Sequence, residues 1–452
     1  MRPYQVRRSK HLLLLLLASL TMYSSMAQDS TKHEFSAKEA VDYALKNSSR
    51  VKNALTDVKI QLQTNREVTS AALPQVTGYV SGTDYFDIPS SLLPGVLIGQ
   101  PGTYIPVQFG VKYNATYGLD LKQMLFDGQV FVGLQARAAS IEYANMNVAV
   151  TQEMIKANIY KIYYQLVVAK KQVQIFDINI ERTEKLLHDT KELYKNGFQE
   201  KLDVDKVNVN LSNIRTDKLK VENRIKTGYT ALKYLMGMPV TESLVLTDTL
   251  NEANLRQVLL EADTSQYQNR REYQLLKVTE KLGQYNIKRY KMSYLPTVSL
   301  SAAYAQNAQR QTFDFFKGGE PWFKSTYIGL RIDVPIFDGF AKDSRIKKAK
   351  LELQKTQTTM ADLKNNIATE IDTARTSLQS ALVVLDEQQK NMSLAEQVYN
   401  QTKKKYEQGL GSNLEVTNAE ADLKTAQNNY FSALYDAVVA RIEYLRATGQ
   451  LQ

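Results

Sequence analysis

Small or apolar residues recur along two stretches of this chain in alternating steps of four and three, and the two stretches match position for position. In the first they fall at Ile155, Ile159, Ile162, Leu166, Ala169, Val173, Phe176 and Ile180, and continue through Thr183, Leu187, Thr190 and Tyr194. Adding 212 to each number gives Ile367, Ile371, Ala374, Leu378, Ala381, Leu385, Gln388, Met392, Ala395, Tyr399, Thr402 and Tyr406. That spacing keeps one helix face on a neighbour, as in the seam of a coiled coil. Its duplication predicts a quasi-symmetric chain of two halves rather than one compact globule.

Proline and glycine set the length of these helices. No proline lies between Pro106 and Pro239 or after Pro335, and an interior proline costs a helix about 3 kcal/mol. Between Gly128 and Gly197 the only glycine is Gly133, and between Gly339 and Gly409 there is none. Each interval predicts a helix of roughly 70 residues, about 100 Å at 1.5 Å per residue, long enough to cross a periplasm. A shorter helix opens at Phe35-Ser36-Ala37-Lys38-Glu39, where Ser36 and Glu39 form a capping box and Phe35 a hydrophobic staple, and runs to about Ala72 before Leu73-Pro74. The second half repeats this from about Arg270 to Ser293, before Leu295-Pro296.

After each of these prolines the period changes to two. Val111, Tyr113, Ala115, Tyr117, Leu119 and Leu121 alternate with polar or small residues, as do Val298, Leu300, Ala302 and Tyr304, and then Ile328, Leu330, Ile332 and Val334. A vaguer fourth strand covers Gln75 to Phe86. Such strands, apolar on one side and polar on the other, fit a membrane barrel, and they equally fit a half-buried sheet in water. Four strands cannot close a barrel, and an open sheet in lipid leaves backbone groups unpaired. In a membrane the chain must therefore borrow strands from copies of itself. Two copies give eight strands, which side chains fill, and three give twelve, which leave a lumen, so a conduit favours three. The strand pairs are joined by non-helical loops, Asp87 to Val107 with four prolines and Gln309 to Lys324 with Phe313, Phe315, Phe316 and Trp322. Aromatics of this kind suit a membrane interface.

Composition narrows the setting. Arg2, Arg7, Arg8 and Lys10 precede the apolar run Leu12 to Leu17 and then Ser25-Met26-Ala27, which reads as a secretory signal cleaved after Ala27. The chain then divides into a signal peptide (1–27), a first repeat of helix, two strands and long helical hairpin (28–239), a linker that adds a short strand and helix (240–268), and a second such repeat (269–452). Of 57 basic residues four lie in the signal, leaving 53 against 47 acidic ones, a net of +6. These charges are interspersed, so they describe solvated helix faces and not a nucleic-acid surface. The absence of cysteine excludes disulfides, thiolate metal sites and a cysteine nucleophile. Beyond the signal there are two histidines, His33 in the N-terminal tail and His188 on a helix, both read as solvated. No Walker loop, HExxH or GxSxG stands in the sequence, so no enzyme, metal or cofactor is expected. A periplasmic coiled-coil adaptor would explain the helices but needs an all-β lipoyl-like module that is not visible. A single-chain porin needs at least eight strands.

Four sets of residues, most of them duplicated, carry a resemblance. They are Ser36-Ala37-Lys38-Glu39-Ala40-Val41 with Ala44-Leu45-Lys46-Asn47; Leu73-Pro74-Gln75-Val76 and Leu295-Pro296-Thr297-Val298; Leu125-Phe126-Asp127-Gly128 and Ile336-Phe337-Asp338-Gly339; and Tyr194-Lys195-Asn196-Gly197 leading to Leu202-Asp203-Val204, with Tyr406-Glu407-Gln408-Gly409 leading to Leu414-Glu415-Val416. In this order and over nearly the whole chain they resemble the TolC-type outer-membrane efflux proteins. The resemblance implies a mainly helical chain with four membrane strands per subunit, forming a homotrimer with a 12-stranded β-barrel continued by a 12-helix periplasmic α-barrel. It implies a passive exit duct in outer-membrane lipid, working with a periplasmic adaptor and an inner-membrane pump. The hairpin tips at Gly197, Phe198, Gly409 and Leu410 would contact the adaptor, though both glycines also serve simply as turn residues. Glu415 matches a pore-constricting acid, three of which around an axis favour cations, and it also suits the start of a helix. Asn418 replaces a second such acid. Asp203 and Tyr406 match gate-closing positions, while the arginine that pairs with them is replaced by Gly411.

Overall fold

The computed structural model describes residues 32–249 and 267–451. The signal segment 1–27 and residues 250–266 of the linker, including its expected helix, lie outside them. Among the described residues the chain is mainly helical with some sheet. The helices are α1 (Ala37–Asn47), α2 (Ser49–Ser70), α3 (Gly128–Lys195), α4 (Lys201–Met236), α5 (Arg271–Met292), α6 (Ala341–Glu407) and α7 (Asn413–Ala447). The strands are β1 (Lys32–Phe35), β2 (Gln75–Asp84), β3 (Ser91–Pro94), β4 (Tyr104–Val107), β5 (Tyr113–Phe126), β6 (Ser243–Leu246), β7 (Thr297–Arg310) and β8 (Phe323–Asp333). The chain divides into two units that each draw on both halves of the sequence: Met1–Asn53, Ala149–Arg270 and Asn366–Gln452 form one, and Ala54–Val148 and Arg271–Asn365 the other.

The first unit holds the coiled-coil seams. Ile155, Ile159 and Leu166 of α3 are buried with Ala37, Ala40, Val41 and Ala44 of α1, Leu232 and Met236 of α4, and Leu244 and Leu246 of β6. The start of α1 is fixed by its capping box: Ser36 Oγ accepts from the Glu39 N–H at 3.3 Å, and the Glu39 carboxylate accepts from the Ser36 N–H at 2.8 Å. Phe35 packs against Tyr43 with the rings tilted and their centroids 5.4 Å apart. The helix expected to continue to Ala72 is interrupted at Ser48, whose ψ is 130°. Neither glycine nor proline marks the break in Asn47-Ser48-Ser49. Its cause is tertiary: the end of α4 comes so close that a Cβ on Gly237 would lie 2.4 Å from the Asn47 carbonyl oxygen, and Gly237 itself has φ +72°. His33 is not in a solvated tail. It belongs to β1, which pairs in parallel with β6, and its Nε2 lies 3.1 Å from a Glu242 carboxylate oxygen. The short strand expected in the linker is β6.

The second unit is built on an antiparallel sheet of order β2-β5-β7-β8. Leu73-Pro74 and Leu295-Pro296 separate α2 from β2 and α5 from β7, as expected of residues that cannot continue a helix. The central pair β5 and β7 joins the two repeats, with Leu119 opposite Tyr304 and Leu121 opposite Ala302. Directly opposed residues share a face. One face therefore carries Val76, Leu119, Leu121, Tyr304, Ile328, Leu330 and Ile332, and the other Gln75, Thr77, Ser81, Thr116, Asp120, Lys122, Ser301 and Asn307. Val76, Leu119, Ile328, Leu330 and Ile332 are all exposed. The sheet is open within one chain, with β2 and β8 as edges. Below it, Asn65 of α2 donates to the Arg137 carbonyl of α3 at 3.0 Å, Lys281 of α5 pairs with Glu142 of α3 at 3.0 Å, and Gln357 of α6 donates to Glu280 of α5 at 2.9 Å. The helices thus follow one another in the same order as the strands.

The loops are more ordered than their composition suggests. Within 87–107, β3 and β4 form a hairpin around a 3₁₀ turn at Gly95–Ile98. Residues Gln309, Arg310, Phe323 and Lys324, read as loop, extend β7 and β8. Arg310 is buried and donates to the Pro321 carbonyl at 2.7 Å, which ties the turn to its strand. Trp322 and Phe313 meet Tyr117 and Tyr113 of β5 at 5.0 and 5.7 Å.

Candidate gate and docking site at the hairpin tips

Both long hairpins turn within five residues, 196–200 and 408–412. A helix that must reverse needs a left-handed residue to satisfy its last carbonyls, and Gly197 (φ +78°) and Gly409 (φ +74°) supply it. The two closures are the same. Gly197 N–H donates to the Tyr194 carbonyl at 3.0 Å and Phe198 N–H to that of Leu193 at 2.9 Å, while Gly409 N–H donates to Tyr406 and Leu410 N–H to Lys405, each at 2.9 Å. This closure turns the next side chain outward, leaving Phe198 76% and Leu410 77% exposed. One turn on, Leu202 and Leu414 are exposed as well. A crevice lined by Leu193, Phe198, Tyr406, Gly409 and Gly411 lies between the two tips.

The four gate positions do not converge on one contact. Glu415 is exposed in the first turn of α7, where the helix dipole favours an acid, and its N–H is capped by Ser412 Oγ at 3.2 Å. Asn418, also exposed, follows one turn later. Asp203 is half-buried in the first turn of α4, with its carboxylate 3.8 Å from Lys206 and its carbonyl accepting from the buried Asn413 at 3.3 Å. Tyr406 is buried among Leu186, Leu187, Val207, Val416 and Leu423. Its hydroxyl makes no hydrogen bond among the described residues and so does not reach Asp203 in one. At Gly411 an added Cβ would lie 3.2 Å from the Tyr406 nitrogen and 3.4 Å from a Glu415 carboxylate oxygen.

A polar layer above the tip was not foreseen in the sequence. Glu420 of α7, buried, meets Thr183 of α3 and Asn210 of α4, and Asn179 of α3 donates to Gln427 of α7 at 2.7 Å. Burial pushes the Glu420 carboxyl above its ordinary range and the Tyr399 phenol beside it to about 12. Outside the layer Lys424 lies 2.6 Å from Asp217, whose pKa is lowered by that hydrogen bond. The signal that marks the layer is the change from aliphatic residues to Thr183 and Thr190 in the seam. Among the described residues no group of three or more His, Asp or Glu is placed to hold a metal ion, and no helix is long and apolar enough to cross a membrane.

The sequence profile of the outer membrane efflux protein family matches residues 254–450. Over 420 residues, 90% of this chain and 84% of the relative, the sequence is 24% identical to the outer membrane efflux protein BepC of Brucella suis biovar 1. In sequence the chain is similar to outer membrane efflux proteins. Its similarity to the outer membrane protein TolC of Vibrio cholerae serotype O1 is 19% identity over 345 residues, 74% of this chain and 76% of that one. The fold is that of CusC, with a TM-score of 0.75, 18% identity and coverage of 94% of this chain and 95% of the other. By name both of these curated relatives are outer membrane proteins.

Proposed function

We propose that this chain is an outer membrane efflux protein, the exit duct of a tripartite efflux or secretion system and a passive channel opened at its periplasmic hairpin tips. The observation that carries the reading is the open four-stranded sheet, exposed and apolar on one face, polar on the other, with edge strands β2 and β8 each paired on one side only. In lipid those edges must be paired, and three copies close a twelve-stranded barrel around a lumen. The same three copies would bring twelve helices together. Apolar side chains exposed on single helices, Leu394 and Val398 of α6 and Val209 and Leu219 of α4, suit burial against a neighbouring subunit. The repeats 28–239 and 269–452, joined through 240–268, would each supply two strands and one hairpin to this assembly.

At the tips, Gly197, Phe198, Gly409 and Leu410 would form the contact with a periplasmic adaptor, itself bound to an inner-membrane pump that supplies the energy. Glu415 would contribute three carboxylates around the axis and Asn418 a neutral ring beside them. Asp203 and Tyr406 would hold the closed tip through backbone and ring contacts. The experiment is the native mass of the protein extracted from outer membranes in mild detergent, together with its conductance in planar bilayers. Three subunits and a cation-preferring conductance are expected; a stable monomer that conducts nothing would overturn the reading.

A further inference from the structure

The second hairpin is fastened to the first by a carboxyl group that lacks a cation. Glu420 is 7% exposed. One of its oxygens accepts from Asn210 Nδ2 of α4 at 2.7 Å, and the other touches Thr183 Oγ1 of α3. The two cations whose charge reaches it are engaged elsewhere, Arg182 of α3 with Glu396 of α6 at 3.0 Å and Lys424 of α7 with Asp217 of α4 at 2.6 Å. From α6, Tyr399 faces the same carboxyl with Glu407 further along, and its hydroxyl makes no hydrogen bond among the described residues.

Thr183 decides the protonation state. Its oxygen lies 2.7 Å from the carbonyl oxygen of Asn179, a group that only accepts. A hydroxyl has one proton to give. If Glu420 is ionised, it and the Asn179 carbonyl compete for that proton, and an uncompensated anion stays buried. If Glu420 is the acid, Thr183 donates to Asn179, Glu420 donates to Thr183, Asn210 donates to Glu420, and every contact is satisfied.

We propose that Glu420, as the neutral acid, is the clamp that holds the second hairpin closed on the first, and that its ionisation loosens the tip. The functional meaning of this clamp rests on the duct reading given above. Burial raises the Glu420 pKa in the folded chain above the ordinary glutamate value. A carboxyl raised in this way contributes fully below that value, and its contribution fades as pH rises through the folded pKa. The clamp therefore weakens as pH rises above the ordinary glutamate value toward the folded one. Glu420→Gln, which can donate to Thr183 and accept from Asn210, fixes the acid-like pattern at every pH.

The test is backbone hydrogen exchange of residues 413–427 in the full detergent-solubilised protein, across pH and corrected for intrinsic exchange. Opening in the wild type should rise with pH by up to about tenfold per unit between the ordinary glutamate value and the folded pKa. E420Q should stay at the acid-side level throughout, and Thr183→Val should open even at low pH because Glu420 loses its acceptor. His188, exposed on α3 and common to all three proteins, cancels in the comparison. Equal pH profiles for wild type and E420Q would overturn the clamp, and a flat wild-type profile would do so alone if E420Q fails to fold. A protein that conducts with such flat profiles keeps the duct and loses the clamp. One that never conducts yet has the predicted exchange keeps the clamp and loses the duct.

Discussion

At the scale of single residues the tip depends on packing more than on the hydrogen bond that its gate residues suggest. The buried Tyr406 hydroxyl has no partner among the described residues, so removing it removes an unsatisfied polar group. Tyr406→Phe is expected to leave the unfolding midpoint unchanged or raise it, by up to about 1 kcal/mol in stability terms. Tyr406→Ala should cost roughly 3 kcal/mol through the cavity it leaves and should raise the leak conductance. Equal losses for the two variants would mean that the hydroxyl is bonded after all. This distinction was not legible in the sequence. Tyr194 and Tyr406 hold the same place in the duplicated seam, yet Tyr194 is exposed and Tyr406 buried. Periodicity assigns a face to each residue, whereas burial depends on which helix of the other hairpin covers that face.

At the scale of elements the sequence was most informative where covalent chemistry punctuates it. The glycine intervals bounded two helices of 68 and 67 residues, and Leu-Pro set both helix-to-strand changes. Ser48, the β3–β4 hairpin and the parallel β1–β6 pair were not legible, because each depends on contacts distant in sequence or on a turn hidden in a proline-rich loop. The two tips show what a duplicated element yields. Their backbone closures are the same, and the side chains they turn outward, Phe198 and Leu410, are both apolar and exposed. Phe198→Asp and Leu410→Asp should therefore leave the unfolding midpoint in place. If these are adaptor anchors, each should weaken adaptor binding by about 2 kcal/mol, some thirtyfold. Pull-down or calorimetric titration with the adaptor reads this directly. Unaltered affinity in both variants would place the contact elsewhere.

For the whole molecule the constraint is that one chain cannot complete its own sheet. The pairing β2-β5-β7-β8 satisfies the middle strands and leaves β2 and β8 each with one row of backbone groups free to pair with another copy. With its edges joined head to tail, the sheet grows by four strands per subunit until its curvature closes it, and the number of subunits then follows from geometry. The chain has no cysteine, so introduced pairs report only the contacts they were placed to test. Pairs that combine Thr77→Cys or Ser81→Cys in β2 with Ser325→Cys or Tyr327→Cys in β8 should include at least one that oxidises into covalent dimers and trimers in the outer membrane. The ladder should stop at three chains, and Cys on β5 paired with β8 should give no cross-linked oligomer, because β5 has strands on both sides. A ladder that stops at two would mean an eight-stranded barrel filled by side chains, which has no room for a duct. One that runs on past three would mean that the edges meet without closing, as heterologous contacts do when no rotation returns them to the start.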